Sequence, residues 1–337
     1  MRVAVDAAGP DPSPVLEGAL RALRSGSAEI HLFGPRERLL RGLEVLGAPD
    51  GRGLKVLDVP EASEPAPGDA CPMPVESAVQ RAAAAVARGE ADAFVSAGKP
   101  GAAMAAALRS LKRLPGVLRP ALLVTLPTPR GPVALLDAGG SMGSKPWHLL
   151  QYALMGALFA EAELGREKPT VGLLSAALES GSVDETLREA LSLLKYSGLN
   201  FVGPVEGDAF ASGAVDVAVC DGALGDVCAK LVGGVAAAVL EAVEPPPAGS
   251  LSRLAARIAA PGAGRARTEF DCPRSRSAAP LLGVDGTAVV CRAPATPEGV
   301  EDALRMAASL SERRLQDRIR ERIEAFKSNV ELSRISE

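Results

Sequence analysis

Short apolar runs alternate along this chain with segments whose apolar positions recur at helical spacing. The runs Arg2–Ala7, Glu29–Gly34, Leu54–Val59, Ala91–Ala97, Ala121–Leu126, Val133–Ala138, Thr170–Ala176, Asn200–Val205 and Val215–Asp221 read as strands. Helical spacing covers Pro14–Ser25, Arg36–Leu46, Val75–Arg88, Gly101–Lys112, Pro146–Gly165, Val183–Ser197 and Leu224–Ala242. Strands separated by helices imply βαβ units and a mainly parallel sheet, and several runs are apolar throughout, as a sheet covered on both faces requires.

Two segments break this rhythm. Ser63–Pro74 is a proline-rich loop, and Glu244–Gly249 (EPPPAG) is a stiff linker. After the linker, Leu251, Leu254 and Ile258 share one face of a short helix, with Arg253 and Arg257 elsewhere on its surface. Arg265 and Arg267 follow a turn, so Leu251–Thr268 carries four arginines and no acid. Ala279–Ala293 then reads as a hairpin turning at Asp285-Gly286, and one long helix closes the chain from Pro297 to about Lys327. The expected units are residues 1–244 as the main α/β domain, 245–276 as an amphipathic helical hairpin, and 277–337 as strands and helix that complete the α/β domain.

Composition narrows the function classes. The chain has 337 residues, 47% of them hydrophobic, enough for a sizeable core. Aromatics are 3% and the net charge is −4, which excludes a stacking platform or polyanion binder for nucleic acid. The opening MRVAVDAAGPD does not read as a signal peptide, and the nearest approach to a spanning helix, Leu231–Val243, is short and interrupted by Glu241. Five cysteines without C-x-x-C spacing suggest reduced thiols and a cytoplasmic protein. With His31 and His148 as its only histidines, the chain offers no multi-histidine metal site.

Candidate chemistry lies in three glycine-rich loops between a strand and a helix: Ser96–Ala102 (SAGKPGA), Asp137–Pro146 (DAGGSMGSKP) and Asp221–Asp226 (DGALGD). Helix N-termini beyond strand ends present free backbone N–H groups, and glycine lets them approach an anion closely. Lys99, Lys145 and Lys230, three of eight lysines, lie in or just after these loops, suggesting a phosphate or acyl-phosphate site. Glycine and lysine are also ordinary loop residues. Lys145 and His148 stand three apart at a helix start and share a face, where His148 either meets the ligand or packs. The loop GGSMGSK lacks Walker A spacing, and neither G-x-G-x-x-G after the first strand nor G-x-S-x-G occurs.

At these loops the chain resembles the PlsX family, the bacterial phosphate acyltransferases of phospholipid synthesis. The similarity runs nearly end to end, through VAVDAAGPD, residues 89–108, 114–128, 145–165 and 215–234, and APLLGVDG at 279–286. The resemblance implies a Rossmann-like three-layer α/β/α fold related to phosphotransacetylases, a homodimer, and attack of inorganic phosphate on a fatty acyl thioester of acyl carrier protein. It implies no cofactor. It points to Lys145 and His148 as catalytic; Ser96, Gly98, Gly101, Gly225 and Lys230, at positions that match the family, and Lys99, Ser141 and Asp226, at positions that differ from it, are the residues expected to bind phosphate or acyl phosphate. The Leu251–Thr268 hairpin occupies the place of the family's peripheral membrane anchor, suited to an anionic leaflet on the inner face of the membrane, or else a dimer contact.

The chain departs from the family at polar positions. Lys99-Pro100 replaces Asn-Thr, Ser141 and Gly143 replace Asn and Asp, and Asp226 replaces Asn. Asp226 would repel phosphate unless Lys99 or Lys230 pairs with it. Two other readings therefore stay open: an impaired paralogue that binds acyl carrier protein, acyl chains or the active enzyme, and an acyltransferase that uses a coenzyme A thioester.

Overall fold

The computed structural model describes residues 1–24, 26, 28–48, 53–60, 77–175, 185–243, 278–291 and 295–335. The proposed hairpin residues Leu251, Arg253, Leu254, Arg257 and Ile258 lie outside these, as do the linker, Cys71 and Cys272.

Strands β1 (Arg2–Asp6), β2 (Glu29–Gly34), β3 (Leu54–Asp58) and β4 (Ala93–Ser96) alternate with helices α1 (Ser13–Arg24), α2 (Arg36–Val45) and α3 (Ala78–Ala87). Helix α4 (Pro100–Ser110) leads to β5 (Ala121–Leu122), β6 (Val124–Leu126) and β7 (Val133–Leu136). Then come α5 (Pro146–Glu163), β8 (Val171–Leu174), α6 (Glu185–Lys195), β9 (Phe201–Val205), α7 (Gly207–Ala211), β10 (Val217–Val219) and α8 (Gly222–Val243). The described chain ends in β11 (Ala278–Leu282), β12 (Thr287–Cys291), α9 (Pro297–Glu312) and α10 (Leu315–Ile335).

These strands form two sheets, ordered β3-β2-β1-β4-β12-β11-β5 and β6-β7-β10-β8-β9. Both are mainly parallel; the antiparallel pairings are β11 with β12, β11 with β5, and β6 with β7. The single strand expected over Ala121–Leu126 is instead two. The chain changes sheet at Leu123: Leu122 pairs with Leu281 in one sheet, and Val124 pairs with Leu135 in the other. An apolar run carries no mark of such a crossing, because both halves are buried.

Strand alternation sends successive side chains to opposite faces. Val3, Val5, Leu32, Val95, Leu136 and Val219 join one apolar cluster with residues of α1, α2, α5, α6, α9 and α10. Ala4, Phe33, Phe94, Leu135 and Ala218 join a second with residues of α3, α4, α7 and α8. The result is three layers. Helices α1 and α9 pack so closely that a Cβ on Gly18 would stand 2.6 Å from Val300 Cβ.

The hairpin expected near Asp285-Gly286 is β11–β12, inserted between β4 and β5. The closing helix is not continuous. It breaks at Arg313 and Arg314, where Arg314 takes φ +51° and its side chain reaches Asp317. No glycine or proline announces that break. The short α7 was not expected either. No described helix is long and apolar enough to cross a membrane.

Candidate active site

A dense polar arrangement lies where β7 and β10 hand over to α5 and α8. Asp137 follows β7 and is fully buried. Its Oδ1 accepts from the amides of Leu122 (3.0 Å) and Gly140 (2.8 Å), and its Oδ2 accepts from the Ser141 hydroxyl at 2.7 Å. The Ser141 oxygen lies 3.0 Å from the Tyr152 hydroxyl. Burial raises the Asp137 carboxyl above its usual range, against the lowering effect of these donors. Because its hydroxyl is committed to Asp137, Ser141 shapes the loop and does not offer that proton to a ligand.

Two glycines let α8 close onto this loop. A Cβ on Gly222 would stand 1.9 Å from the Ser141 carbonyl oxygen, and one on Gly225 1.8 Å from that of Asp137. Gly225 is therefore a packing requirement and lies buried beneath the loop. Asp221 accepts from the amides of Ser144 (2.7 Å) and Ala223 (2.9 Å). Burial pushes its carboxyl up, but these donors outweigh it and hold the group below its ordinary value.

Lys145 caps α5 and is exposed, with Pro146 at the first helical position. Its backbone N–H donates to His148 Nδ1 at 3.0 Å. A backbone amide can only donate, so Nδ1 accepts, and the proton of the neutral ring sits on Nε2. Burial, then Arg119 and Lys145, holds the imidazole below its usual range. The ring stacks on Tyr152 with centroids 6.4 Å apart. His148 in its neutral form thus carries one N–H donor, on Nε2, at the helix start that Lys145 caps.

Asp226 bears on the same loop: a Cβ on Gly139 would stand 3.4 Å from its carboxylate. Lys230, one helical turn on, holds that carboxylate at 2.6 Å. The substituted acid is neutralised, although a pair this exposed contributes only about 0.2–1 kcal/mol to stability.

A second cluster lies on the other sheet, between β1 and β4. There the strand order reverses, which makes it the topological switch point. Ser96 donates to Asp6 Oδ2 (2.9 Å) and accepts from the Gly98 amide (3.2 Å), while Ala8 N–H donates to Asp6 Oδ1 at 3.3 Å. Burial raises the Asp6 carboxyl, and the Ser96 and Ala8 donors act against it. Ser96 is fully buried, so it braces this loop and does not reach a ligand in this conformation. Lys99, at the start of α4, and Gly101, in its first turn, are exposed. Three strand spacings, roughly 14 Å across the sheet, separate β4, which ends at Ser96, from β5, whose Leu122 amide Asp137 holds. The structure thus gathers Ser141, Lys145, His148, Gly225, Asp226 and Lys230 in one place. It sets Ser96, Gly98, Lys99 and Gly101 in the other.

Two cations were missed from sequence. Arg119 donates to the Met142 carbonyl at 3.0 Å and acts on His148, and Arg38 donates to the Ala8 carbonyl at 3.0 Å. Both reach the loops from distant segments, so no local motif marks them. Among the described residues no group of three or more His, Cys, Asp or Glu is placed to hold a metal ion.

A family model described as fatty acid synthesis protein matches residues 1–318. The chain belongs to this family. Its relatives include the phosphate acyltransferase of Elusimicrobium minutum, 37% identical over 336 residues covering 98% of each chain. That of Pelotomaculum thermopropionicum is 38% identical over 332 residues, 97% of this chain and 96% of the other. Family membership agrees with the PlsX resemblance of the loop sequences. The fold is shared with a phosphotransacetylase from Streptococcus pyogenes (TM-score 0.64, 16% identity, 93% and 94% of the two chains covered). It is shared also with the EutD phosphotransacetylase from Staphylococcus aureus (TM-score 0.59, 14% identity, 92% and 94% covered).

Proposed function

We propose that the protein is a phosphate acyltransferase that converts fatty acyl-[acyl carrier protein] and inorganic phosphate into acyl phosphate and free carrier protein. A phosphate oxygen attacks the thioester carbonyl carbon, and the carbonyl oxygen takes the negative charge. When the C=O bond re-forms, the C–S bond breaks, and the departing thiolate takes up the proton that the hydrogen phosphate gives up. Phosphate binds at the Lys145 ammonium, beside the N-termini of α5 and α8, whose dipoles favour an anion. His148 Nε2–H donates to the developing oxyanion, a role whose loss typically costs 10²–10³-fold in rate.

The observation that carries this reading is the Lys145 N–H bond to His148 Nδ1, which aims a neutral donor beside a cation at one helix start. The test supplies palmitoyl-loaded carrier protein with phosphate and measures release of free carrier thiol. No release above buffer, under conditions where an active relative works, refutes the reading. A Lys145→Ala variant with full activity refutes the site assignment alone. The Lys230 contact to Asp226 weighs against the impaired-paralogue reading, because it removes the charge that would exclude phosphate. Turnover of palmitoyl-coenzyme A in place of the carrier thioester would favour the third reading.

The protein acts in the cytoplasm as a homodimer that touches the membrane peripherally. Leu224, Val227, Leu231 and Val235 line one side of α8 with 37%, 61%, 63% and 55% of their surface exposed, which supports self-association. Analytical ultracentrifugation of Leu231→Glu, expected to shift the protein toward monomer, tests it. Residues 1–244 and 277–337 form one α/β unit in this reading, supported by the insertion of β11–β12 between β4 and β5. Residues 245–276 bind an anionic leaflet; Leu254→Glu with Ile258→Glu should abolish liposome sedimentation, and unchanged sedimentation contradicts it.

A further inference from the structure

The segment from α4 to β5 carries features that the chemistry at His148 does not use. Residues 112–119 read Lys-Arg-Leu-Pro-Gly-Val-Leu-Arg, with no acid. The loop is clamped. The Gln151 amide donates to the Gly116 carbonyl at 2.9 Å, and its oxygen accepts from the Leu118 N–H at 2.8 Å. Arg113 Nη1 donates to the Leu118 carbonyl at 2.5 Å, and its backbone bridges to Val284. At the far end Arg119 is tied to Met142, three residues before Lys145. Beside these cations two large apolar side chains face solvent: Leu118 is 44% exposed and Met142 77%. Lys327 Nζ approaches Gly116 from α10, and the neighbouring acid Asp285 is held by Arg320 at 2.6 Å.

We propose that the face formed by Arg113, Leu118, Arg119 and Met142, with Lys145 and Lys327 at its margins, is the docking platform for a small acidic protein that carries the acyl group as a thioester. The proposal rests on the acyl-transfer reading above and adds to it where the donor sits. An apolar centre with a charged rim is the pattern of a transient protein interface, and its positive charge selects an acidic partner. Because the loop is already held by Gln151 and Arg113, binding costs little ordering entropy. Two apolar side chains on a clamped loop are too few to anchor in a bilayer, which favours a protein over a lipid surface. The platform continues into the Lys145 loop, so a docked carrier delivers its thioester next to His148.

The test uses the full chain and fluorescently labelled acyl carrier protein, with the dissociation constant read by anisotropy and the KM values by thiol release. Leu118→Glu alters an exposed side chain and keeps both backbone bonds; Arg113→Gln removes the charge and keeps an N–H for the Leu118 carbonyl. Each should weaken carrier binding at least fivefold and raise the KM for the acyl carrier in parallel. The KM for phosphate and the unfolding midpoint should stay unchanged. Binding should weaken as salt rises. Unchanged binding in both variants, or no carrier binding by the wild type, overturns the proposal. So does binding to anionic phospholipid vesicles that Leu118→Glu abolishes while carrier binding persists. Carrier binding through this face without turnover sinks the acyl-transfer reading and leaves the platform standing; turnover of a coenzyme A thioester without carrier binding does the reverse.

Discussion

Removing the cation at Lys230 isolates the effect of the acid at position 226. In Lys230→Met the stem of the side chain is kept and its charge is lost, so the Asp226 carboxylate facing the Gly139 loop has no partner one turn away. Consider a phosphate dianion about 6 Å from that carboxylate. At a solvent-like dielectric of about 80 the repulsion is about 1.4 kcal/mol, and at an effective value of about 20 it is about 5.5 kcal/mol. Asp226 is more than a third exposed, so the lower figure applies, and it corresponds to about a tenfold loss of phosphate affinity. The KM for phosphate, measured at low ionic strength, should therefore rise about tenfold in Lys230→Met. It should return to near the wild-type value in the double variant with Asp226→Asn. Salt at about 1 M, where the screening length is about 3 Å, should shrink the single-variant effect. If Lys230→Met leaves the phosphate KM unchanged at low salt, the carboxylate does not face the anion and the site is misplaced. If the double variant stays as impaired as the single, Lys230 acts on phosphate directly and the pairing argument fails.

Other consequences are equally open to measurement. His148 is held below its ordinary value and works as a neutral donor, so kcat/KM should be level above neutrality and fall as pH drops below the usual histidine range. His148→Gln, which keeps an N–H near the Nε2 position, should retain more activity than His148→Ala and lose the acid limb of the profile. Between the folded and unfolded values the unfolded chain binds more protons, so the His148 contribution to stability rises with pH and is lost on acidification; urea unfolding at several pH values reads its sign. Gly225→Ala drives a methyl into the Asp137 carbonyl and should cost more than about 3 kcal/mol or prevent folding, checked by thermal unfolding. Ser96→Ala strips a donor from buried Asp6 and an acceptor from Gly98, and should cost about 1–3 kcal/mol in chemical unfolding; a change under a few tenths would show the bonds to be idle.

Much of the fold is legible because its strands are short apolar runs between helices of clear spacing. The predicted beginnings of β1, α5 and α8 fall within two residues of the observed ones. The sheet crossing at Leu123 was not legible: hydropathy reports burial, and both halves of Ala121–Leu126 are buried in different sheets. The break at Arg314 was hidden for a related reason, since an arginine at positive φ gives no local signal. At the candidate site, glycine and lysine patterning marked the loops but not the bonds within them. The bonds from Ser96 to Asp6 and from Ser141 to Asp137 have no local mark, because hydrogen-bond direction is a property of the assembled loops. Lys230 looked like a phosphate cation and is occupied by Asp226, a pairing that the i, i+4 spacing already offered.

The passage of one strand from sheet to sheet has a mechanical consequence. At Leu122 the peptide joins both sheets, and the Asp137 carboxylate, from the far side, grips the same residue's amide. The Asp137 loop is thus tied, by that bond, to the seam where the chain passes between the sheets.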